Sequence, residues 1–305
     1  MSNKIKTTVG SHRIELTNLE KALFPGISKG ELIRYYLKIA PVMLPHIKDR
    51  PLSFQRFPDG INAEGFYQKQ APSAYPEWIK RIPLGVKDIV DYASADSAAD
   101  LVYFAQQAVI VIHTSLARAD KPHNPDLLVF DLDPPADDFG MVKKTALQMR
   151  ALLEGLDLKC YVKLTGSRGV HLAVPLDRSW DFGLVNSFAD RVAGLYQRKH
   201  PDETTVEISK AKRGNRIFID TNRNHFAQTA VAPYSVRARE GAPVAAPITW
   251  GELSNADIKP AQFNIENIFD LLANRADPWA DIYRHGLPLK RAEGLLQSLE
   301  NSEKS

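Results

Sequence analysis

The chain contains a single cysteine, Cys160, in 305 residues. It can form no internal disulfide and no thiol-only metal cluster, which suits a reducing compartment. Cys160 itself reads as a small buried hydrophobe. Long hydrophobic runs are also missing. The most apolar stretch, Leu101 to Ala117, carries Gln106, Gln107 and His113. It is too short to cross a bilayer and is expected in a core. The opening residues, MSNKIKTTVGSHRIEL, hold no apolar block of secretory type, so a cytoplasmic protein without a membrane partner is expected. An excess of charge is lacking too. The 39 basic and 36 acidic residues leave a net charge of +3, so any nucleic-acid role must rest on local clusters. No repeat, low-complexity segment or obvious linker interrupts the chain, and one domain over 1–305 is expected.

Three familiar motifs are absent. There is no Gly-Lys-Ser/Thr loop opening a helix, which excludes a Walker-type nucleotide site. There is no Gly-x-Ser-x-Gly nucleophile elbow. There is no Lys-x-Asp-Gly, so nick sealing by lysine adenylation is excluded.

The residues that are present alternate between helix and strand signals. Asn18 is placed to cap a short helix over 19–23, ended by Pro25-Gly26. Ser28 and Glu31 have capping-box spacing. After them, Leu32, Ile33, Tyr36, Leu37 and Ala40 recur at a helical period, limited or kinked by Pro41 and Pro45. Strands are expected at 127–132, 161–164 and 171–175, and helices at 141–153 and 182–196. The segments 206–209 and 216–220 read as a hairpin joined by a basic turn. Residues 297–305 are polar and are expected to fray. The order gives an α/β (α+β) class with a sheet-based catalytic core.

The sharpest local signal is Phe130-Asp131-Leu132-Asp133-Pro134. Alternation on a strand puts both carboxylates on one face, roughly 6–7 Å apart at Cα. Two such acids suit Mg²⁺ or Mn²⁺. Asp220 ends another apolar strand, and three carboxylates can hold two cations for in-line phosphoryl displacement. From spacing alone, a turn or cap after a strand explains the first pair equally well.

Around these acids lie candidate anion binders. In the glycine turn 165–171, the donors are Thr165, Ser167, Arg168 and His171. The run 209–216 brings Lys210, Lys212, Arg213 and Arg216, followed by Arg223, Arg237 and Arg239. Asn18, Lys21 and Lys29 sit near helix starts, which suit a phosphate. Phe66 and Tyr67 beside Lys69 could stack on unpaired bases. Taken alone, each is better read as ordinary surface, cap or core.

Taken together, the pieces resemble one family. The runs 16–21 (LTNLEK), 29–36 (KGELIRYY), 56–60 (RFPDG), 65–69 (GFYQK), 130–134 (FDLDP), 209–213 (SKAKR) and 228–235 (QTAVAPYS) are similar, in the same order, to LigD polymerase domains of the archaeo-eukaryotic primase superfamily. The similarity extends from about Leu16 to about Trp279. It implies a primase-polymerase fold with an N-terminal α/β, end-binding part at about 1–120. A catalytic part would follow at about 121–280, then a C-terminal helix and tail at 281–305.

The resemblance implies a template-dependent and end-extending nucleotidyltransferase. Its two divalent ions, Mn²⁺ or Mg²⁺, would be held by Asp131, Asp133 and Asp220. The incoming NTP or dNTP would meet Thr165, His171, Arg223, Gln228, Ser235 and Arg237, with His113 nearby. A DNA 5′-phosphate would lie at Asn18, Lys21 and Lys29, and template DNA at Arg56, Phe66, Tyr67 and Lys69. Family members fill gaps at double-strand breaks in non-homologous end joining, prefer ribonucleotides, and work with Ku and a DNA ligase. That implies a nucleoid-associated protein, here stand-alone or part of a longer one. Where the family commonly has Ser-Gly-Gly-Lys-Gly-Leu-His, this chain has Thr-Gly-Ser-Arg-Gly-Val-His, and the segment 83–88 is short for an end-pairing loop. The rival readings are a non-catalytic 5′-phosphate end-binding module and an Asp-x-Asp glycosyltransferase.

Overall fold

The computed structural model describes residues 4–136 and 138–303. The chain divides into two compact units. The first takes residues 1–120, 229–246 and 261–277; the second takes 121–228, 247–260 and 278–305. The fold is mixed α/β in both.

The first unit is built on an antiparallel sheet in the order Thr229–Val231, Val109–Ser115, Leu52–Arg56, Val90–Ala93, Arg81–Leu84, with Phe66–Gln68 paired to Leu52–Arg56. The helices Lys29–Ile47 and Ala98–Gln106 pack on each other. The first buries Leu32, Tyr36, Ile39 and Met43. The Tyr36 hydroxyl donates to the Ile110 carbonyl at 2.7 Å, tying helix to sheet. The apolar run 101–117 is split between a helix end and the strand Val109–Ser115, whose Val109 to Ile112 are fully buried.

Two expectations fail here for definable reasons. Residues 19–23 do not form a helix. Asn18 adopts a left-handed φ of 53°, and Ala22–Phe24 pairs with Ile27–Ser28 as a small hairpin turning through Gly26. A helix of five residues cannot repay its nucleation cost, whereas the hairpin pairs its backbone at once. Nor does proline limit the following helix, since Pro41 and Pro45 both lie inside Lys29–Ile47. Leu37, Pro41 and Pro45 recur every four residues on the exposed stripe. The carbonyls left without a donor at i−4 therefore face water, where their loss costs least. Ser28 does cap this helix. Its Oγ accepts from Glu31 N, and Glu31 Oε2 accepts from Ser28 N at 2.7 Å.

The second unit carries a sheet in the order Thr204–Thr205, Ile217–Asp220, Leu127–Asp133, Val170–Pro175, Tyr161–Leu164, Pro247–Ile248. The helices Phe139–Gly155 and Phe182–Lys199 pack against it. Cys160 is buried, and burial pushes its thiol well above the usual range. The expected hairpin across the basic turn is not formed. Thr204–Thr205 runs parallel to Ile217–Asp220, and Lys210–Arg213 is one helical turn. A parallel neighbour needs a crossover rather than a tight turn, and residues 206–216 supply it. The C-terminal helix Leu289–Ser302 continues through residues expected to fray. Arg191 pins it by pairing with Glu293 and, at 2.6 Å, with Glu300. Among the described residues no helix is long and apolar enough to cross a membrane.

Candidate active site

The site in the second unit follows from strand register. Asp131 stands opposite Asp220 on one side and opposite His171 on the other, and His171 stands opposite Lys163. Directly paired residues share a sheet face. Asp220, Asp131, His171 and Lys163 therefore form one row across four strands. Asp133, two residues on from Asp131, lies on the same face and pairs with Phe218.

The row is buried. Asp131 and Asp220 are each 7% exposed, His171 3% and Lys163 2%. His171 Nε2 lies 3.3 Å from Asp131 Oδ2. Arg223 reaches both acids, with Nε 3.7 Å from Asp131 Oδ2 and a terminal nitrogen 3.8 Å from Asp220 Oδ2. Asp220 Oδ1 accepts from the backbone and side-chain amides of Asn222, at 2.8 and 2.7 Å. The carboxyl of Asp133 is pushed up to about 6, first by burial and then by the charges of Asp131 and Asp220; Arg168 and Arg223 oppose this. Burial pushes the His171 imidazole below its usual range. The Asp131 carboxylate resists that shift and the Lys163 charge adds to it. Such crowded like charges, held on backbone ladders, mark a functional site more often than a structural one.

A metal fits this donor set by its chemistry, since three carboxylates in mutual repulsion ask for a hard cation. Among the described residues no three His, Cys, Asp or Glu are already drawn together as a coordinating group. Arg223 and Arg168 supply the local positive charge instead.

The glycine turn is built for close approach. A Cβ on Gly169 would lie 2.0 Å from the Leu132 carbonyl oxygen. Gly166 takes φ 66°, a conformation glycine adopts without strain. Thr165 Oγ1 donates to the Gly169 carbonyl at 3.0 Å, so its proton closes the turn. Ser167 is half-buried and Arg168 exposed.

In the basic segment, Arg213 and Arg216 are braced by backbone carbonyls: Arg213 donates to Glu207 and Ile208, Arg216 to Arg213 and Lys212. Lys210, Lys212 and Gln228 are exposed.

Sequence reading missed Asn224, which is fully buried. Its Oδ1 accepts from Val129 N and its Nδ2 donates to Val129 O and Thr221 O, each at 2.8 Å. The side chain thereby extends the ladder beyond the end of Ile217–Asp220. The signal was present in the polar run Thr221-Asn222-Arg223-Asn224 directly after an apolar strand end. Lys163 was read only as part of a strand.

In the first unit, Ser235 is completely buried. Its Oγ accepts from Ile112 N at 2.8 Å and donates to Val236 O at 3.2 Å. His113 lies on Val109–Ser115, with its ring 6.1 Å from that of Tyr67. Phe66 and Tyr67 are 48% and 67% exposed, and Lys69 is exposed. Arg56 lies over the Phe66 ring and donates to Gln68 Oε1 at 2.8 Å. Lys29 is only 5% exposed, and burial, then the Lys21 charge, push its ammonium below the usual range. Lys21 Nζ pairs with Asp59 at 2.6 Å. The first amides of the helix Lys29–Ile47 are already used: Lys29 N donates to Lys21 O, Gly30 N to Leu19 O and Glu31 N to Ser28 Oγ. A phosphate here would meet lysine ammonium groups rather than a free helix N-terminus, which corrects the expectation of open amides.

Comparison with known proteins fits this arrangement. The profile of the family described as LigD, primase-polymerase domain, matches residues 28–279. The chain belongs to the LigD primase-polymerase family. It is 35% identical over 277 residues to the multifunctional non-homologous end joining protein LigD of Mycolicibacterium smegmatis, covering 88% of this chain and 35% of that protein. It is 33% identical over 291 residues to the corresponding Pseudomonas aeruginosa protein, covering 90% of this chain and 34% of that one. The chain thus spans about a third of the length of these LigD relatives. Among solved structures it is similar to a polymerase domain from Mycobacterium tuberculosis Ligase D in complex with DNA. The TM-score is 0.84 at 31% identity, over 90% of this chain and 99% of that one. As a LigD primase-polymerase it is of nucleotidyltransferase type.

Proposed function

We propose that this chain extends DNA 3′ ends and fills gaps at double-strand breaks, adding ribonucleotides in preference to deoxyribonucleotides. The observation that carries the reading is the register Asp131 opposite Asp220, with Asp133 on the same face. Asp131, Asp133 and Asp220 would hold two divalent ions, Mn²⁺ or Mg²⁺. Bound there, such ions neutralise charge on the attacking and leaving oxygens of an in-line displacement.

The remaining work falls to the chain. Arg223, anchored beside both acids, and exposed Arg168 and Lys210 would bind the triphosphate. His171, held by Asp131, is fixed in orientation and can hold or move a proton at Nε2. Thr165 and Ser167 shape the turn. Gln228 would add to the nucleotide contacts, and in the first unit Ser235 holds Arg237's segment to the sheet. Lys29, with Lys21 and Asn18, would bind a 5′-phosphate, and Arg56, Phe66, Tyr67 and Lys69 would carry template DNA. Ku and a separate DNA ligase would be its partners in the cytoplasm, at the nucleoid.

The test is extension of a labelled gapped duplex with Mn²⁺ and ribonucleotides, run in parallel with deoxyribonucleotides. The Asp131→Ala, Asp133→Ala double variant is expected to bind the duplex and not extend it. Equal extension by that variant would overturn the polymerase reading. End binding without incorporation by the wild type, under any metal, would favour an end-binding module.

A further inference from the structure

Phe66 and Tyr67 are neighbours in sequence but not on the sheet of the first unit. In the antiparallel register Arg56 pairs with Phe66 and Phe54 with Gln68, while Gln55 pairs with Tyr67. Directly paired residues share a face, and successive residues alternate between faces. Arg56, Phe66 and Gln68 therefore stand on one face and Tyr67 on the other. On the first of these faces the Arg56 guanidinium lies 5.3 Å from the centroid of the Phe66 ring. The ring itself is 48% exposed.

Arg56 is held at two points. Its Nε donates to the Gln107 carbonyl at 2.9 Å and its Nη1 to Gln68 Oε1 at 2.8 Å. The first contact follows from a slip in pairing. The register of Leu52–Arg56 against Val109–Ser115 shifts between Gln55 and Arg56, and Ala108 takes a left-handed φ of 56°. Such irregularities re-aim groups next to functional sites. The second contact depends on Gln68 alone. A guanidinium can only donate, so Gln68 must turn its amide oxygen to Arg56 and its nitrogen away. That nitrogen donates to the Tyr75 hydroxyl at 3.1 Å. Tyr75 is buried and its ring packs edge-on to Tyr103 at 5.2 Å, so the far end of the bracket is anchored in the core.

We propose that Gln68 is a positioning residue for template recognition: it locks the Arg56 guanidinium over the Phe66 ring, so that an unpaired base meets a preformed stack. The proposal rests on the reading that Arg56 and Phe66 carry template DNA. Bases stack on aromatic rings and on guanidinium planes whatever their sequence. Ordering one long side chain on binding costs up to about tenfold in affinity, and the bracket removes that cost in advance.

The test is fluorescence anisotropy on two labelled 5′-hydroxyl duplexes, in EDTA and without nucleotide. One carries a short single-stranded thymidylate tail and the other is blunt. Gln68→Met keeps the length of the side chain and loses both hydrogen bonds. It is expected to weaken binding to the tailed duplex about tenfold and to leave the blunt duplex unchanged. Gln68→Glu should stay within about twofold of wild type, because its carboxylate accepts from Arg56 and from the Tyr75 hydroxyl, which can turn to donate. Should Gln68→Met fail to fold, Tyr75→Phe removes the far anchor and should lower tailed affinity about threefold, again without effect on the blunt duplex. Wild-type affinity in the variant that folds would overturn the proposal, as would an equal loss on both duplexes or a Gln68→Glu variant as weak as Gln68→Met. Arg56→Ala separates this from the reading beneath it. If Arg56→Ala binds the tailed duplex as wild type does, the template reading falls and the proposal with it. If Arg56→Ala loses affinity and Gln68→Met does not, the proposal falls alone.

Discussion

Asp131 and Asp220, distant in sequence, are direct cross-strand partners in one antiparallel ladder, and Arg223 lies within 4 Å of both carboxylates. The position of these charges is set by backbone hydrogen bonds and not by flexible loops. The consequences can be measured.

Asp133 should cost the metal-free protein stability. Its carboxyl is raised from an ordinary 3.8 to about 6, so the folded chain holds that proton more tightly than the unfolded chain. The penalty is absent below about pH 3.8, grows between pH 3.8 and 6, and is complete above 6. Asp133→Asn should therefore stabilise the protein in EDTA at pH 8 by about 1–3 kcal/mol, and by less at pH 5. Urea unfolding at the two pH values checks this. An advantage that does not depend on pH would refute it.

Asn224→Ala should destabilise by about 2–4 kcal/mol, because it leaves the buried Val129 N–H and C=O without the side-chain partner they now have. Incorporation should fall with it, since Arg223 and Asp220 flank the lost bonds. Denaturant unfolding together with an extension assay measures both. A variant as stable as wild type would show that backbone or solvent takes over the role.

Gly169→Ala should destabilise by about 2 kcal/mol or more, because the new Cβ would meet the Leu132 carbonyl and force two paired strands apart. Gly155, at the end of a helix with open space around its Cβ position, is the control. Gly155→Ala should be neutral or stabilising by about 0.5–1 kcal/mol. Thermal melts of the two variants, read together, decide the matter.

Lys29→Ala should weaken binding to 5′-phosphorylated ends about tenfold, and more than Lys21→Ala does. Lys29 is nearly buried and its charge is held at a desolvation cost, whereas Lys21 is partly committed to Asp59. On 5′-hydroxyl ends both losses should be small. A loss that ignores the phosphate would indicate general electrostatics only.

What the sequence made legible was local. The capping box at Ser28 and Glu31, the helical periods, and the acids at the ends of apolar strands are all short-range patterns, and all formed. What it hid depended on partners far along the chain. Residues 206–209 look like half a hairpin until Thr204–Thr205 is seen to be the strand and to run parallel to its neighbour. Pro41 and Pro45 look like breakers until their stripe is seen to face water. Lys163 and Asn224 gain meaning only from register, which fixes what lies across from His171 and what replaces the missing rung at Val129. Ser235 was legible as a residue, but its complete burial was not.

The rung supplied by Asn224 bears on how this protein can change over time. A strand shifted by one residue shows its other face, and a side chain stapled across the ladder forbids that shift. An insertion in the connection 206–216 should therefore leave the strand register intact, while one added residue inside Leu127–Asp133 or Ile217–Asp220 would turn the acids away from each other. Length changes that this fold tolerates should therefore fall in its loops and not in these strands.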